Sequence, residues 1–156
     1  MGLSAALPAL LGTILGALVT LLADRVRWRR ELALRSHEAR RDAYAGYLAA
    51  LHTGSEGIRS VALGDTAAAG RLSEAGEAFR TAGVYQAREQ VSLLAPEAVT
   101  RFAGTALHRL RDLRDLASRG CAVESPDYQR ALALYDEAVA GLRTAMRRDI
   151  GSAPSS

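Results

Sequence analysis

Three histidines are the first side chains of this chain to consider for metal binding or acid–base catalysis. His37, His52 and His108 are scattered, and no set of histidines and carboxylates has the spacing that builds a metal site on one helix. The chain has no G-x-S-x-G motif for a nucleophilic serine and no glycine-rich phosphate loop after a strand. The sequence therefore predicts a protein that is not an enzyme and that binds no metal or cofactor.

Paired carboxylates and one cysteine are the remaining chemical candidates. Glu74 and Glu77 are three residues apart, as are Asp112 and Asp115. Acids at this spacing usually lie on a solvated helix face beside arginines, and the Glu-x-x-His pattern of a two-metal site is absent. Cys121 is the only cysteine, which excludes an intramolecular disulfide and fits a reducing cytoplasm.

Composition gives little reason to expect a nucleic-acid partner. All 20 basic residues are arginine, 17 acids offset them, and the net charge is +3. Arginine in place of lysine, with abundant alanine, is typical of a GC-rich coding sequence. Because acids are interspersed with the arginines after the first part of the chain, we expect no continuous basic stripe and no nucleic-acid partner.

The amino-terminal segment is the strongest signal in the sequence. Residues 3–23 read LSAALPALLGTILGALVTLLA and contain no charged side chain. At about 1.5 Å per residue, a helix of this length spans roughly 32 Å, enough to cross the hydrocarbon core of a bilayer. A cleaved signal peptide would have a basic start and a small-residue cleavage site, and a core helix of a soluble protein would have a polar face. The pattern therefore favours a transmembrane anchor over 1–23.

Charge on the two flanks of this segment predicts its orientation. Five arginines and two acids follow it within residues 24–35, whereas only the amino terminus is charged on the other flank. Arginine-rich flanks stay in the cytoplasm, so we expect a single-pass inner-membrane protein with its amino terminus outside and its carboxy-terminal domain cytoplasmic. The candidates for contact with the membrane surface and its anionic lipids are Arg25, Arg27, Trp28, Arg29 and Arg30.

Small residues within the anchor mark a candidate helix–helix contact. Gly12 and Gly16 are four residues apart, and Ser4, Pro8 and Thr20 extend the same row. Such rows let two helix backbones approach closely in lipid. Gly12 and Gly16 are therefore a candidate dimer face.

The rest of the chain has helical periodicity throughout, with no run of alternating β-branched residues. We expect a basic juxtamembrane helical stalk over 24–43, a cytoplasmic helical bundle over 44–150 and a disordered tail over 151–156. The predicted helices cover about 24–62, 66–95, 96–119 and 126–149. The predicted fold is all-α, with a transmembrane helix that continues into an antiparallel three- or four-helix bundle.

Two of these helices have well-defined patterns. In the third helix Val99, Phe102, Ala106, Leu110, Leu113 and Ala117 form one apolar stripe. The last helix begins at Ser125-Pro126-Asp127, which combines a cap, a proline and an acid at a helix start. Its apolar residues follow a heptad seam that needs a partner, from this chain or from another copy: Tyr128, Leu132, Tyr135, Val139, Leu142 and Met146.

Several segments resemble a recurrent type of small protein in high-GC Gram-positive bacteria. They are the apolar span followed by Ala23-Asp-Arg-Val-Arg-Trp-Arg-Arg-Glu31, Arg41 with Tyr44 and Tyr47-Leu48, Leu93-Leu94-Ala95-Pro96, and Met146-Arg-Arg-Asp-Ile-Gly151. In this respect the chain is similar to actinobacterial single-pass membrane proteins with a cytoplasmic helical domain. The resemblance implies a topology and a helical architecture, and it supplies no catalytic residues.

Together these observations predict a non-enzymatic bitopic membrane protein. Its cytoplasmic bundle would act as an anchor, scaffold or regulator that binds a protein partner or associates with itself. The alternative is a peripheral module in which the arginine-rich juxtamembrane helix senses anionic lipid.

Overall fold

The computed structural model describes the backbone of residues 6–64 and 68–151, and the side chains of residues 35–64 and 70–151. Within these residues the chain is helical and has no strand, which confirms the predicted all-α class. The helices are α1 (Ala6–Leu63), α2 (Ala68–Thr81), α3 (Val84–Leu94), α4 (Glu97–Ser118) and α5 (Pro126–Gly151). The chain divides into two compact units, Met1–Glu38 and Ala39–Ser156. The helical bundle lies in the second unit.

The predicted membrane anchor belongs to the first unit. Among the residues that the structure describes, no helix has both the length and the apolar character needed to span a bilayer. The predictions for 1–23, for the Gly12/Gly16 pair and for the arginine-rich flank fall outside the residues whose side chains are described. They stay predictions from the sequence.

Pairs of contacts fix the directions of the three long helices of the bundle. The Tyr44 hydroxyl donates to Asp149, and the Tyr135 hydroxyl donates to the carbonyl of Leu51, so α1 and α5 run in opposite directions. Tyr47 bonds Ala103, and Gly54 lies beside Leu110, so α1 and α4 run in the same direction. It follows that α4 and α5 are antiparallel neighbours.

Helices α2 and α3 replace the single helix predicted over 66–95. The chain breaks at Gly83, whose φ of 64° lies in the left-handed region that side-chain-bearing residues rarely adopt. Both helices pack on α4. Both also reach α1, since a Cβ on Gly57 would lie 2.9 Å from that of Ala78, and one on Gly54 would lie 3.4 Å from Val84 Cγ2. Together they occupy the position of one long helix in the bundle.

Two glycine substitutions should therefore change stability in opposite directions. Gly83→Ala should lower the free energy of unfolding by about 1–2 kcal/mol because a Cβ is strained at positive φ. Gly46→Ala should raise it by about 0.5–1 kcal/mol, since Gly46 lies inside α1 with open space around its Cα. Urea unfolding of the two variants measures both effects. Equal stability of Gly83→Ala and the wild type would contradict the assigned break.

The bundle core is formed mostly by alanine, valine, leucine and tyrosine. On α4 the predicted stripe is buried at Val99, Ala106, Leu110, Leu113 and Ala117. The assignment of Phe102 to this stripe was wrong, because its side chain is 38% exposed at the edge between α4 and α5. The core places on α4 are taken instead by the neighbouring Ala103 and Leu107.

Helix α5 begins where its sequence predicts, and its apolar seam faces the core of the same chain. The backbone N–H of Tyr128 donates to Ser125 Oγ at 3.3 Å, which caps the first turn. Leu132 is partly buried against the core, and the other seam residues are buried within it: Tyr128, Tyr135, Val139, Leu142 and Met146. The apolar partner of the seam is therefore supplied by the same chain.

Candidate functional site

A groove lies between α4 and α5 on the described surface of the bundle. It has a volume of about 590 Å³. Its lining residues come from both helices: Phe102, Thr105, Arg109, Leu134, Glu137, Ala138, Ala140, Gly141 and Thr144. Most of these side chains are small, so a second helix can approach the backbone of α5 closely.

Two large apolar side chains lie in this groove and remain open to solvent. Phe102 and Leu134 are each 38% exposed. A Cβ on Gly141 would lie 3.2 Å from Phe102 Cε1, so the absence of a side chain there makes room for the aromatic ring. Exposed apolar groups gathered in a concave site are typical of a surface that binds another molecule.

Charges of both signs lie beside these apolar groups. Arg109 on α4 bonds Asp112 of its own helix at 3.1 Å, and His108 Nε2 lies 3.9 Å from the same carboxyl group. Glu137 on α5 is exposed and makes no ion pair with another residue that the structure describes. The groove thus offers one cation that is paired within its helix and one anion that is available to a bound molecule.

A second cluster joins the start of the bundle on α1 to the end of α5. The Tyr44 hydroxyl donates to Asp149 Oδ2 at 2.7 Å, and Arg40 donates to the same carboxylate at 3.2 Å. Burial, and then the hydrogen bond to Asp149, raise the pKa of Tyr44 well above its usual value. Tyr44 therefore stays a neutral hydrogen-bond donor, and the cluster acts as a structural clasp between two helices.

The buried tyrosines have the same structural character. The Tyr47 hydroxyl donates to the carbonyl of Ala103 at 2.8 Å, and that of Tyr135 donates to the carbonyl of Leu51 at 3.0 Å. Burial raises the pKa of both hydroxyls and also that of Tyr128. These side chains fill the alanine-rich core and tie α1 to α4 and α5, so they are not free to bind a ligand.

Nothing in the described part of the chain indicates a metal site. There, no group of three histidine, cysteine or carboxylate side chains comes together in a way that would hold a metal ion. Several exposed acids are instead paired along their own helices, as where Arg80 bonds Glu77 and holds the pKa of that carboxyl below its usual value. Asp115 is likewise bonded by Arg114.

The sequence-predicted sites and the groove do not coincide. The seam of α5 is core, and the membrane-flank and glycine candidates lie outside the described side chains. Sequence reasoning missed Leu134 and Glu137, and it placed Phe102 in the core. One signal was available, since Ala138, Ala140 and Gly141 are small residues beside the exposed Leu134 on the same helix.

Comparison with protein-family models, curated proteins and solved structures finds no match to this chain. Function is therefore inferred from the chain's own residues.

Proposed function

We propose that this protein is a non-enzymatic, single-pass membrane protein whose cytoplasmic bundle binds another protein chain in the groove between α4 and α5. The observation that carries the proposal is the groove itself, with Phe102 and Leu134 exposed above a floor of small residues. Burying such apolar surface against a partner contributes about 25 cal/mol per Å² before the costs of association.

An amphipathic helix is the class of partner element that suits this groove. The groove follows two antiparallel helices, and its lining runs along α4 from Phe102 to Arg109. A helix laid along it would bury apolar side chains one and two turns apart and leave charged residues at the edge. Arg109 and Glu137 would then fix the register of the bound helix.

Membrane attachment is the second part of the proposal. It is supported by the uncharged residues 3–23 and by the arginines that follow them at Arg25, Arg27, Arg29 and Arg30. Trp28 suits the interface between headgroups and hydrocarbon. Anionic headgroups would neutralise these arginines, so lipid contact strengthens the anchor and holds the bundle near the bilayer.

The proposal is tested by replacing the two exposed apolar groups of the groove. Phe102→Asp with Leu134→Asp should abolish co-purification of bound protein, because two charges would then have to be buried in the interface. The double variant should fold, since both side chains are already more than a third exposed. The full chain is purified from its native membrane in mild detergent. Mass spectrometry then identifies the proteins in the eluate, and light scattering measures the mass of the complex.

A matched control comes from an exposed leucine outside the groove. Leu93 is 77% exposed, so Leu93→Asp places the same charge on the surface without touching the groove. This control should retain the bound protein. Loss of the partner in the control, or its retention in the groove variant, would contradict the proposed site.

A further inference from the structure

We infer that the occupant of the groove is a second copy of this chain, related to the first by a two-fold axis that runs along the groove. The inference rests on the proposed function and names its partner. The reason is that the groove is complementary in charge to itself, with Arg109 on one of its helices and Glu137 on the other.

The positions of the two charges follow from the helix geometry. Phe102 and Gly141 lie at the same level, since a Cβ on Gly141 would touch the Phe102 ring. Arg109 is about two turns, roughly 10 Å, further along α4. Because α5 runs the other way, Leu134 lies near the level of Arg109, and Glu137 lies about one turn before it. An arginine side chain is long enough to cover that difference.

A two-fold axis along the groove places α4 of one copy against α5 of the other. Because the rotation is about that axis, each residue keeps its position along the groove. Arg109 then faces Glu137 of the second copy, and the same pair forms again on the other side of the axis. The Phe102 rings of the two copies, each lying over Gly141 of its own chain, are then at the same level on either side of the axis.

Neither charge is prevented from making this contact. Glu137 makes no ion pair with another described residue. Arg109 bonds Asp112 through Nη1, and a guanidinium group carries five N–H donors, so it can bond a second carboxylate as well. An unrelated partner would have to supply both complementary charges itself, whereas a copy of this chain already has them.

Charge reversal tests this pairing because it distinguishes a copy from any other partner. In Arg109→Glu both groove charges are negative, and in Glu137→Arg both are positive, so each variant should repel itself. A mixture of the two variants restores both pairs. We expect each single variant to weaken self-association at least about tenfold, and the equimolar mixture to return to within about threefold of the wild type. The Arg109→Glu/Glu137→Arg double variant should also associate as the wild type does.

The measurement is the dissociation constant of the purified full chain in mild detergent, from light scattering over a dilution series. Association through Gly12 and Gly16 would contribute equally to every variant. The ratio of each variant's dissociation constant to that of the wild type therefore reports on the groove. The control is Arg130→Glu, which removes an arginine paired at the same spacing with Asp127 on an exposed face of α5. It should associate as the wild type does.

Three results would overturn the inference: a wild-type chain that stays a single copy at every concentration, reversals without effect, or a mixture that remains as weak as its components. A foreign protein that is lost from Arg109→Glu and does not return on mixing would also overturn it. That last result would leave the proposed function in place, since the groove would still bind a partner. If the Phe102→Asp/Leu134→Asp variant still bound both the second copy and any foreign protein, the proposed function itself would be contradicted.

Discussion

The bundle should unfold cooperatively as the pH rises above about 10, the ordinary pKa of tyrosine. Burial raises the pKa of four tyrosines in the folded chain, namely Tyr44, Tyr47, Tyr128 and Tyr135. The unfolded chain loses these protons above pH 10 while the folded chain keeps them, so the folded state binds more protons and stability falls with pH. Below the ordinary pKa both states are protonated, and this contribution to stability is fully present.

The size of this effect makes it the largest that we expect. A tyrosine removes about 1.4 kcal/mol of stability per pH unit while the pH lies between its unfolded and folded pKa values, so Tyr44 and Tyr47, whose pKa values are raised furthest, together remove about 3 kcal/mol per unit. Tyr128 and Tyr135 add to this loss. A domain with about 5–15 kcal/mol of stability would lose a large part of it within about two to three pH units. The side chains that hold the core together are thus also the ones that limit its alkaline stability.

Tyrosinate absorbance at 295 nm and helical circular dichroism, followed together during an alkaline titration, measure this behaviour. The two signals should change in the same pH range, because these hydroxyls ionise only as the bundle opens. In Tyr128→Phe the unfolding free energy should fall less steeply with rising pH than in the wild type, because one of the four contributions is removed. Ionisation of all the tyrosines before any loss of helix would show that they are not held in the core.

Truncation of Tyr47 should be the most damaging single substitution among the core tyrosines. Its side chain is fully buried, and its hydroxyl bonds the carbonyl of Ala103 on α4. Tyr47→Ala removes the ring and the hydrogen bond and leaves a cavity between helices, which should lower the free energy of unfolding by about 3–5 kcal/mol. Tyr47→Phe keeps the ring and should cost only about 1 kcal/mol, the value of one buried hydrogen bond.

Urea unfolding of the three chains separates the two contributions, and Leu93→Ala serves as the surface control. Leu93 is 77% exposed, so its truncation should change stability by less than about 0.5 kcal/mol. If Tyr47→Ala were no less stable than Tyr47→Phe, the ring of Tyr47 would have no part in the core, contrary to its position.

Local signals in the sequence were sufficient for much of the fold. The start of α5 follows from a serine cap and a proline, and its seam follows from heptad spacing, because both depend on residues within a few turns of each other. The break at Gly83 could not be predicted in this way. Gly70 and Gly76 lie in the same predicted helix, and composition does not say which glycine adopts a positive φ.

The groove could not be predicted from the sequence, for a different reason. Phe102 fits the apolar period of α4, and only the position of Gly141 on a neighbouring helix shows that its ring lies at an open edge. Leu134 and Glu137 line the same groove as Arg109 because α4 and α5 pack as antiparallel neighbours. Such a site depends on which helices are adjacent in space, and no pattern within one helix contains that information.

The proposed attachment of the bundle to the cytoplasmic face of a membrane by residues 1–23 can be tested with the chain's only cysteine. Cys121 lies between α4 and α5 and is partly exposed, so the natural chain needs no added reporter. Intact cells and lysed cells are treated with a membrane-impermeant maleimide, and labelling of the chain in the membrane fraction is compared. We expect labelling only after lysis, because a cytoplasmic Cys121 is shielded from the reagent in intact cells. Labelling in intact cells, or a chain absent from the membrane fraction, would contradict the proposed attachment.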